Sequence, residues 1–174
     1  MGDRLTDIEN RADIDLLMRH FYQRAIADDI IGFIFTDVAK LDLENHLPVI
    51  GDFWETIIFQ NGVYLKHGRN PLQVHGELNE KTPLLPVHFE RWLEIFTEVT
   101  DGLFEGERAE FIKLRARAIA SRMLQFVGPR MQDRSAFRKP LKTGNVSNED
   151  LSVFDGDGSS SGQSSYYPYR RFSG

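Results

Sequence analysis

Apolar residues recur at helical spacing along most of the first 126 positions of this chain. From Ile14, the positions Met18, Tyr22 and Ala25 follow at steps of four, four and three, with Leu17 and Phe21 alongside, which places them on one helical face. Tyr22 is therefore expected to point inward, and a buried phenol must find a hydrogen-bond partner. Ahead of this face, Thr6-Asp7-Ile8-Glu9 has capping-box spacing, and Asp13 can cap a second start. The short apolar run Ile30 to Phe35 contains Gly32 and has no partner strands, so it predicts a turn or short helix that fills the core. Next, His46, Ile50, Phe53 and Ile57 share a face at steps of four, three and four, with Trp54 and Ile58 adjoining. Pro48 has no N–H and is tolerated in a first helical turn, so regular helix is expected from Asn45 or His46, ending at Asn61-Gly62.

The stretch after Gly62 is polar and punctuated by Pro71, Pro83 and Pro86, which predicts only a short helical turn around Leu72 to Leu78. That turn holds His75, between Val74 and Gly76 and with Leu72 and Leu78 three residues to either side, so that the imidazole leans onto an apolar site. His67, between Lys66 and Gly68, is expected to face solvent. Pro86 opens a helix with the stripe Phe89, Trp92, Leu93, Phe96 and Val99, and a last helix runs from about Glu107 to Phe126 with Ile112, Ala116, Ile119, Met123 and Phe126 on one face. His20 and His88 are expected at the surface or at helix ends. From about residue 129 the periodicity stops, and the composition turns to Ser, Gly and Pro, as in GDGSSSGQSSYYPYRRFSG. Such a stretch buries too little apolar area to offset the entropy of ordering. The chain is thus expected to be all-α, with five or six helices and no strand, in one domain over 1–128 followed by a disordered tail over 129–174 that takes no part in the chemistry.

Composition sharpens the picture. The 174 residues suffice for one domain with a sizeable core, and 13 of them are Phe. The absence of cysteine excludes disulfides, thiolate nucleophiles, Cys-based zinc sites and iron–sulfur clusters. A formal charge of −5 gives no reason to expect nucleic acid as a partner. The first thirty residues contain no apolar signal region, and no stretch approaches the roughly 18 apolar residues of a membrane span, so a soluble cytoplasmic protein is expected. There is no GxSxG elbow, no HExxH or other i, i+4 histidine pair, and no Walker or Rossmann phosphate loop. One histidine on an apolar, Phe-rich helical scaffold fits haem iron, for which a proximal imidazole is the one obligatory protein ligand. A helical interaction module also has inward aromatic residues and stays open as the alternative.

The stretches HFYQRAIAD, ENHLPVIGDFW, NPLQVHGEL, HFERWLEIF and FIKLRARAIASRM, in that order and with similar gaps, resemble the group III truncated haemoglobins. The resemblance covers about Ile14 to Phe126, and the HLP-to-DFW and HFERWLEIF blocks together are hard to match by chance. It implies a truncated globin fold, a two-over-two helical sandwich around haem b (iron protoporphyrin IX), with little regular helix before the proximal histidine. It further implies His75 as the iron ligand, Tyr22 as the distal tyrosine, His46 as the distal-helix histidine and Trp92 as the pocket tryptophan. Phe21, Phe53 and Trp54 match aromatic positions packed around the haem. Tyr22, Trp92 and His46 then form the ligand-stabilising pocket, with three roles open for His46: gate or pocket wall, ligand contact, or internal iron ligand. The tail matches nothing in the family pattern. The implied ligands are dioxygen, nitric oxide or another small diatomic, with an unidentified reductant, in a bacterial monomer or weak dimer. The expected chemistry joins oxygen with nitric oxide or peroxide, as a nitric oxide dioxygenase-like or peroxidase-like activity rather than transport. A haem-based gas or redox sensor with the tail as output, and a haem-free helical interaction module, are the other classes.

Overall fold

The computed structural model of the chain describes residues 5–68 and 70–128; the expected tail, 129–174, lies outside them. Within these residues the α-helices are α1 (Arg11–Ile26), α2 (Leu43–Phe59), α3 (Pro71–Lys81), α4 (Pro86–Leu103) and α5 (Glu107–Val127). A π-helical turn, Ile34–Val38, lies in the α1–α2 connection, and a 3₁₀ segment, Val63–His67, lies in the α2–α3 connection. The described residues contain no strand, only an isolated parallel bridge between Thr6 and Phe104. Helix α1 packs on α2 and α4, while α5 packs on α4, α3 and α2, so the α1–α2 and α4–α5 pairs enclose a common core. Ile14, Leu17 and Phe21 from α1 meet Trp54 from α2, Phe96 from α4 and Ile112 from α5 there, each at most 2% exposed. No helix among the described residues is long and apolar enough to cross a membrane.

The helix starts differ from the sequence expectation in ways that place the site. Asn10, not Thr6, caps α1: its side chain accepts from the backbone N–H of Ala12 and Asp13, and the Asp13 carboxylate accepts from Asn10 in return. Asp7 serves a distant helix. Its carboxylate accepts the backbone N–H groups of Arg108 and Ala109, both at 2.9 Å, and so caps α5 across the molecule. Gly106 precedes α5 with no side chain of its own to cap it, and a Cβ there would run into the Asp7 carboxyl group.

Helix α2 begins at Leu43, earlier than Pro48 suggested, because Asp42 accepts from Glu44 and Asn45 and fixes the first turn upstream. Pro48 sits in the second turn, where its missing N–H forfeits one bond to a preceding carbonyl. The helix stops at Gln60, which takes the left-handed conformation (φ 56°) one residue before Asn61-Gly62. Helix α3 is a full 11 residues rather than a short turn. Asn70 caps it through Leu72 N–H, and Pro71 occupies its first position, so the proline opens the helix. Phe126, expected inside, is 54% exposed and lies against Gly76 of α3.

Candidate functional site

A cavity of about 240 Å³ lies inside the fold, bordered by α1, the π-helical turn, α2, the 3₁₀ segment, α3, α4 and α5. Its walls are mainly apolar and aromatic, and each polar group on them has a definite arrangement.

On one wall, His75 sits one helical turn beyond Pro71, and its Nδ1 lies 2.8 Å from the Pro71 carbonyl oxygen. A carbonyl can only accept, so Nδ1 carries the proton and donates, which leaves Nε2 with a lone pair. Burial pushes the His75 pKa below its ordinary 6.5, the backbone bond opposing only in part, so the ring is neutral near pH 7 and its lone pair is free to bind a Lewis acid. The backbone bond also sets the ring's orientation, as second-shell partners do for ligating imidazoles.

Also on the cavity wall, the Tyr22 hydroxyl of α1 and Nε2 of His46 of α2 are 2.6 Å apart. Tyr22 is 6% exposed, and burial pushes its pKa far above the ordinary 10.0, so the phenol keeps its proton. Edge contacts with Phe21 and Phe35, at ring centroids of 5.1 and 5.8 Å, hold the phenol ring. Trp92 stacks on Phe96 at 5.2 Å and meets Phe21 edge-on at 5.5 Å. Phe21, Phe53 and Trp54 also border the cavity, so the structure brings every residue singled out from the sequence to one site.

Two cavity residues escaped the sequence reading. Tyr64 lies on the five-residue 3₁₀ segment, which is too short to show a periodicity. His88 is at a helix end as expected, its Nδ1 accepting from Leu85 N–H at 3.1 Å, yet it also borders the cavity. Its spacing of four from Trp92 was the signal available.

His67 is not solvent-exposed. Its side chain is 20% exposed, and its Nε2 lies 2.7 Å from Oδ2 of Asp52. Asp52 is itself buried and also receives Arg11 at 2.5 Å and Lys66 at 2.6 Å. Burial alone would raise the Asp52 pKa, but the hydrogen bonds from Lys66, Arg11 and His67 hold the carboxyl well below the ordinary carboxylate range. Gly51 allows this approach, since a Cβ there would sit 2.6 Å from an Arg11 nitrogen. Among the described residues, no group of three or more His, Cys, Asp or Glu side chains is placed to hold a metal ion by itself. Of the three cavity histidines, His46 is engaged with Tyr22 and His88 with Leu85 N–H, and the Nε2 of His75 beside apolar and aromatic walls fits a large flat macrocycle whose metal needs a single axial ligand from the protein.

No family model matches the chain. A group 3 truncated haemoglobin of Campylobacter jejuni is 30% identical over 115 residues, which cover 64% of this chain and 86% of that protein. The crystal structure of the group III truncated haemoglobin from Campylobacter jejuni superposes with a TM-score of 0.61 at 28% identity, covering 71% of this chain and 95% of the other. Helices, core and sequence therefore agree: the chain belongs to the group III truncated haemoglobins.

Proposed function

We propose that this protein binds haem b through His75 and that Tyr22, His46 and Trp92 hold a small diatomic ligand for chemistry upon it rather than for transport. A haem cofactor is what membership of the globins implies. The observation that carries the assignment of His75 is the Nδ1–H bond to the Pro71 carbonyl, which leaves Nε2 as the free donor atom at the cavity wall. Phe21, Phe53 and Trp54 supply the apolar contact area for the macrocycle. When bound, ferrous haem supplies an open coordination position at which dioxygen or nitric oxide can be held and polarised.

The residues opposite His75 then decide what happens to that ligand. The Tyr22 hydroxyl has a single proton, and His46 lies within its reach. With the Nε2 lone pair turned to the phenol, Tyr22 donates to His46 and offers the ligand only oxygen lone pairs. With a proton on Nε2, His46 donates to the phenol oxygen and the O–H is released toward the ligand. The Trp92 indole N–H is a donor in either case. This makes His46 a partner that sets the direction of Tyr22, which fits the role of pocket wall better than that of iron ligand. Donors aimed at a ligand that carries partial negative charge slow its escape, which suits reaction with nitric oxide or peroxide, fed by a separate reductant, in a bacterial cytoplasmic monomer or weak dimer.

The deciding experiment is haem titration of the parent and of His75→Ala. The parent is expected to take up one haem with an intense Soret band, and His75→Ala is expected to lose that band or regain it only with added imidazole. A parent that stays colourless with haem supplied removes the proposal and leaves a helical interaction module.

A further inference from the structure

Aromatic rings form a continuous chain along the cavity wall from Trp92 to Tyr64. Trp92 touches Phe96 at a centroid distance of 5.2 Å, Phe96 touches Trp54 at 4.9 Å, Trp54 touches Phe53 at 5.3 Å, and Phe53 touches Tyr64 at 5.2 Å. The chain ends at Tyr64, which borders the cavity and is partly exposed. Tyr64 is half-buried, and the next residue, Leu65, is 80% exposed. Of the five rings, Trp92, Trp54 and Tyr64 are oxidisable, and each Phe bridges two of them at van der Waals contact. A tyrosine gives up an electron readily only if its phenolic proton has somewhere to go.

His67 supplies that place. Its ring lies 5.6 Å from the Tyr64 ring, centroid to centroid, on the same 3₁₀ segment. The Asp52 carboxylate can only accept, so the 2.7 Å bond places a proton on His67 Nε2, and in the neutral form of the ring the lone pair is then on Nδ1. Asp52 is shared with Arg11 and Lys66, and Arg11 also pairs with Asp15 and Glu55, so two cations and two further carboxylates surround the Asp52–His67 pair. The hydrogen-bonded pair Asp52 and His67 takes no part in the cavity chemistry described above, and here it finds a use.

We propose that Tyr64, with His67 as its proton acceptor and Asp52 orienting His67, is a redox-active tyrosine that passes electrons from a small one-electron donor at the surface to the haem cavity. The proposal rests on the haem assignment and deepens its peroxidase-like side. The oxidant is a hydroperoxide, ROOH, which takes two electrons and two protons and leaves as ROH and water. In each of two turns Tyr64 sends one electron along the ring chain and hands its phenolic proton to His67 Nδ1, which leaves a neutral tyrosyl radical. A phenolic or enediol donor at the surface returns an electron to the radical and releases its own proton to solvent, and the proton comes back from His67 to restore the O–H. Over two turns the two donors lose one electron and one proton each, which balance the two electrons and two protons that ROOH takes up.

The test uses the ferric haem-loaded protein, hydrogen peroxide and a nitroso spin trap, with adducts located by peptide mass spectrometry and radicals followed by freeze-quench electron paramagnetic resonance. The parent is expected to show a tyrosyl signal and an adduct at Tyr64, and Tyr64→Phe is expected to lose both with its Soret band unchanged. His67→Gln, which keeps a polar group beside Asp52, is expected to slow radical formation at Tyr64 on the order of a hundredfold, the scale of a lost proton acceptor. Adducts confined to Tyr22 or Trp92, or a Tyr64 radical formed equally fast in His67→Gln, overturn this proposal while the haem assignment stands. A protein that takes up no haem fails the earlier assignment instead.

Discussion

At the scale of single residues, the pocket depends on where three protons sit. The His75 proton is fixed on Nδ1 by the Pro71 carbonyl, and that of Trp92 by its chemistry, since an indole can only donate. The Tyr22 proton is the variable one, because the phenol and His46 Nε2 share it across 2.6 Å. Replacing both ligand-side donors, as in Tyr22→Phe with Trp92→Phe, removes hydrogen bonds worth about 1.5–3 kcal/mol each when the acceptor is charged. Stopped-flow measurement of dioxygen release is therefore expected to show an increase of about tenfold or more for each donor lost. Release no faster than in the parent means that neither group reaches the ligand.

Under the proposed assignment of His75, α3 is the element on which cofactor retention turns. It carries His75 but fully buries only Leu72, so it is held by fewer core contacts than α1 or α5. Its start depends on the Asn70 side chain, and removing such a cap costs about 1 kcal/mol. Asn70→Ala is accordingly expected to speed haem transfer to an acceptor apoprotein about fivefold. Asn10→Ala, an equal loss of cap at α1, is expected to lower the melting temperature similarly while leaving that transfer rate close to the parent's. Equal acceleration in both variants would show that α3 opens only with the whole fold.

The same helix shows what the sequence could and could not convey. The inward faces of α1, α2 and α4 are legible because each repeats an apolar stripe over about three turns, and Tyr22, His46 and Trp92 ride on those stripes. Helix α3 was read as a short turn because Pro71, Gly76 and Pro83 look like interruptions, whereas Asn70-Pro71 together supply a cap and a first turn. The Asp7 cap on α5 and the His67–Asp52 bond join positions 101 and 15 residues apart, and no local pattern announces either. Phe126 kept the period of its helix yet lies beyond the core, since periodicity gives a face and not its depth.

For the whole molecule, the question is how much chain the site requires. Among the described residues, those that border the cavity fall between Met18 and Met123, and ties that close the fold reach from Thr6, which accepts from Glu105 N–H, to Val127, which accepts from Asn79. Tyr22 pairs with His46, His75 with Pro71, and Trp92 with Phe21 and Phe96. Residues 129–174, rich in Ser and Gly by sequence, lie outside the described residues. We therefore propose that a chain ending at Gly128 takes up haem with the same Soret maximum, the same dependence on His75 and the same rate of dioxygen release as the full chain. Side-by-side haem titration and ligand kinetics of the two forms decide it. A shortened chain that folds and binds haem yet releases dioxygen at a different rate would assign the last 46 residues a part in the pocket's chemistry, and with it a role of the kind a sensor needs.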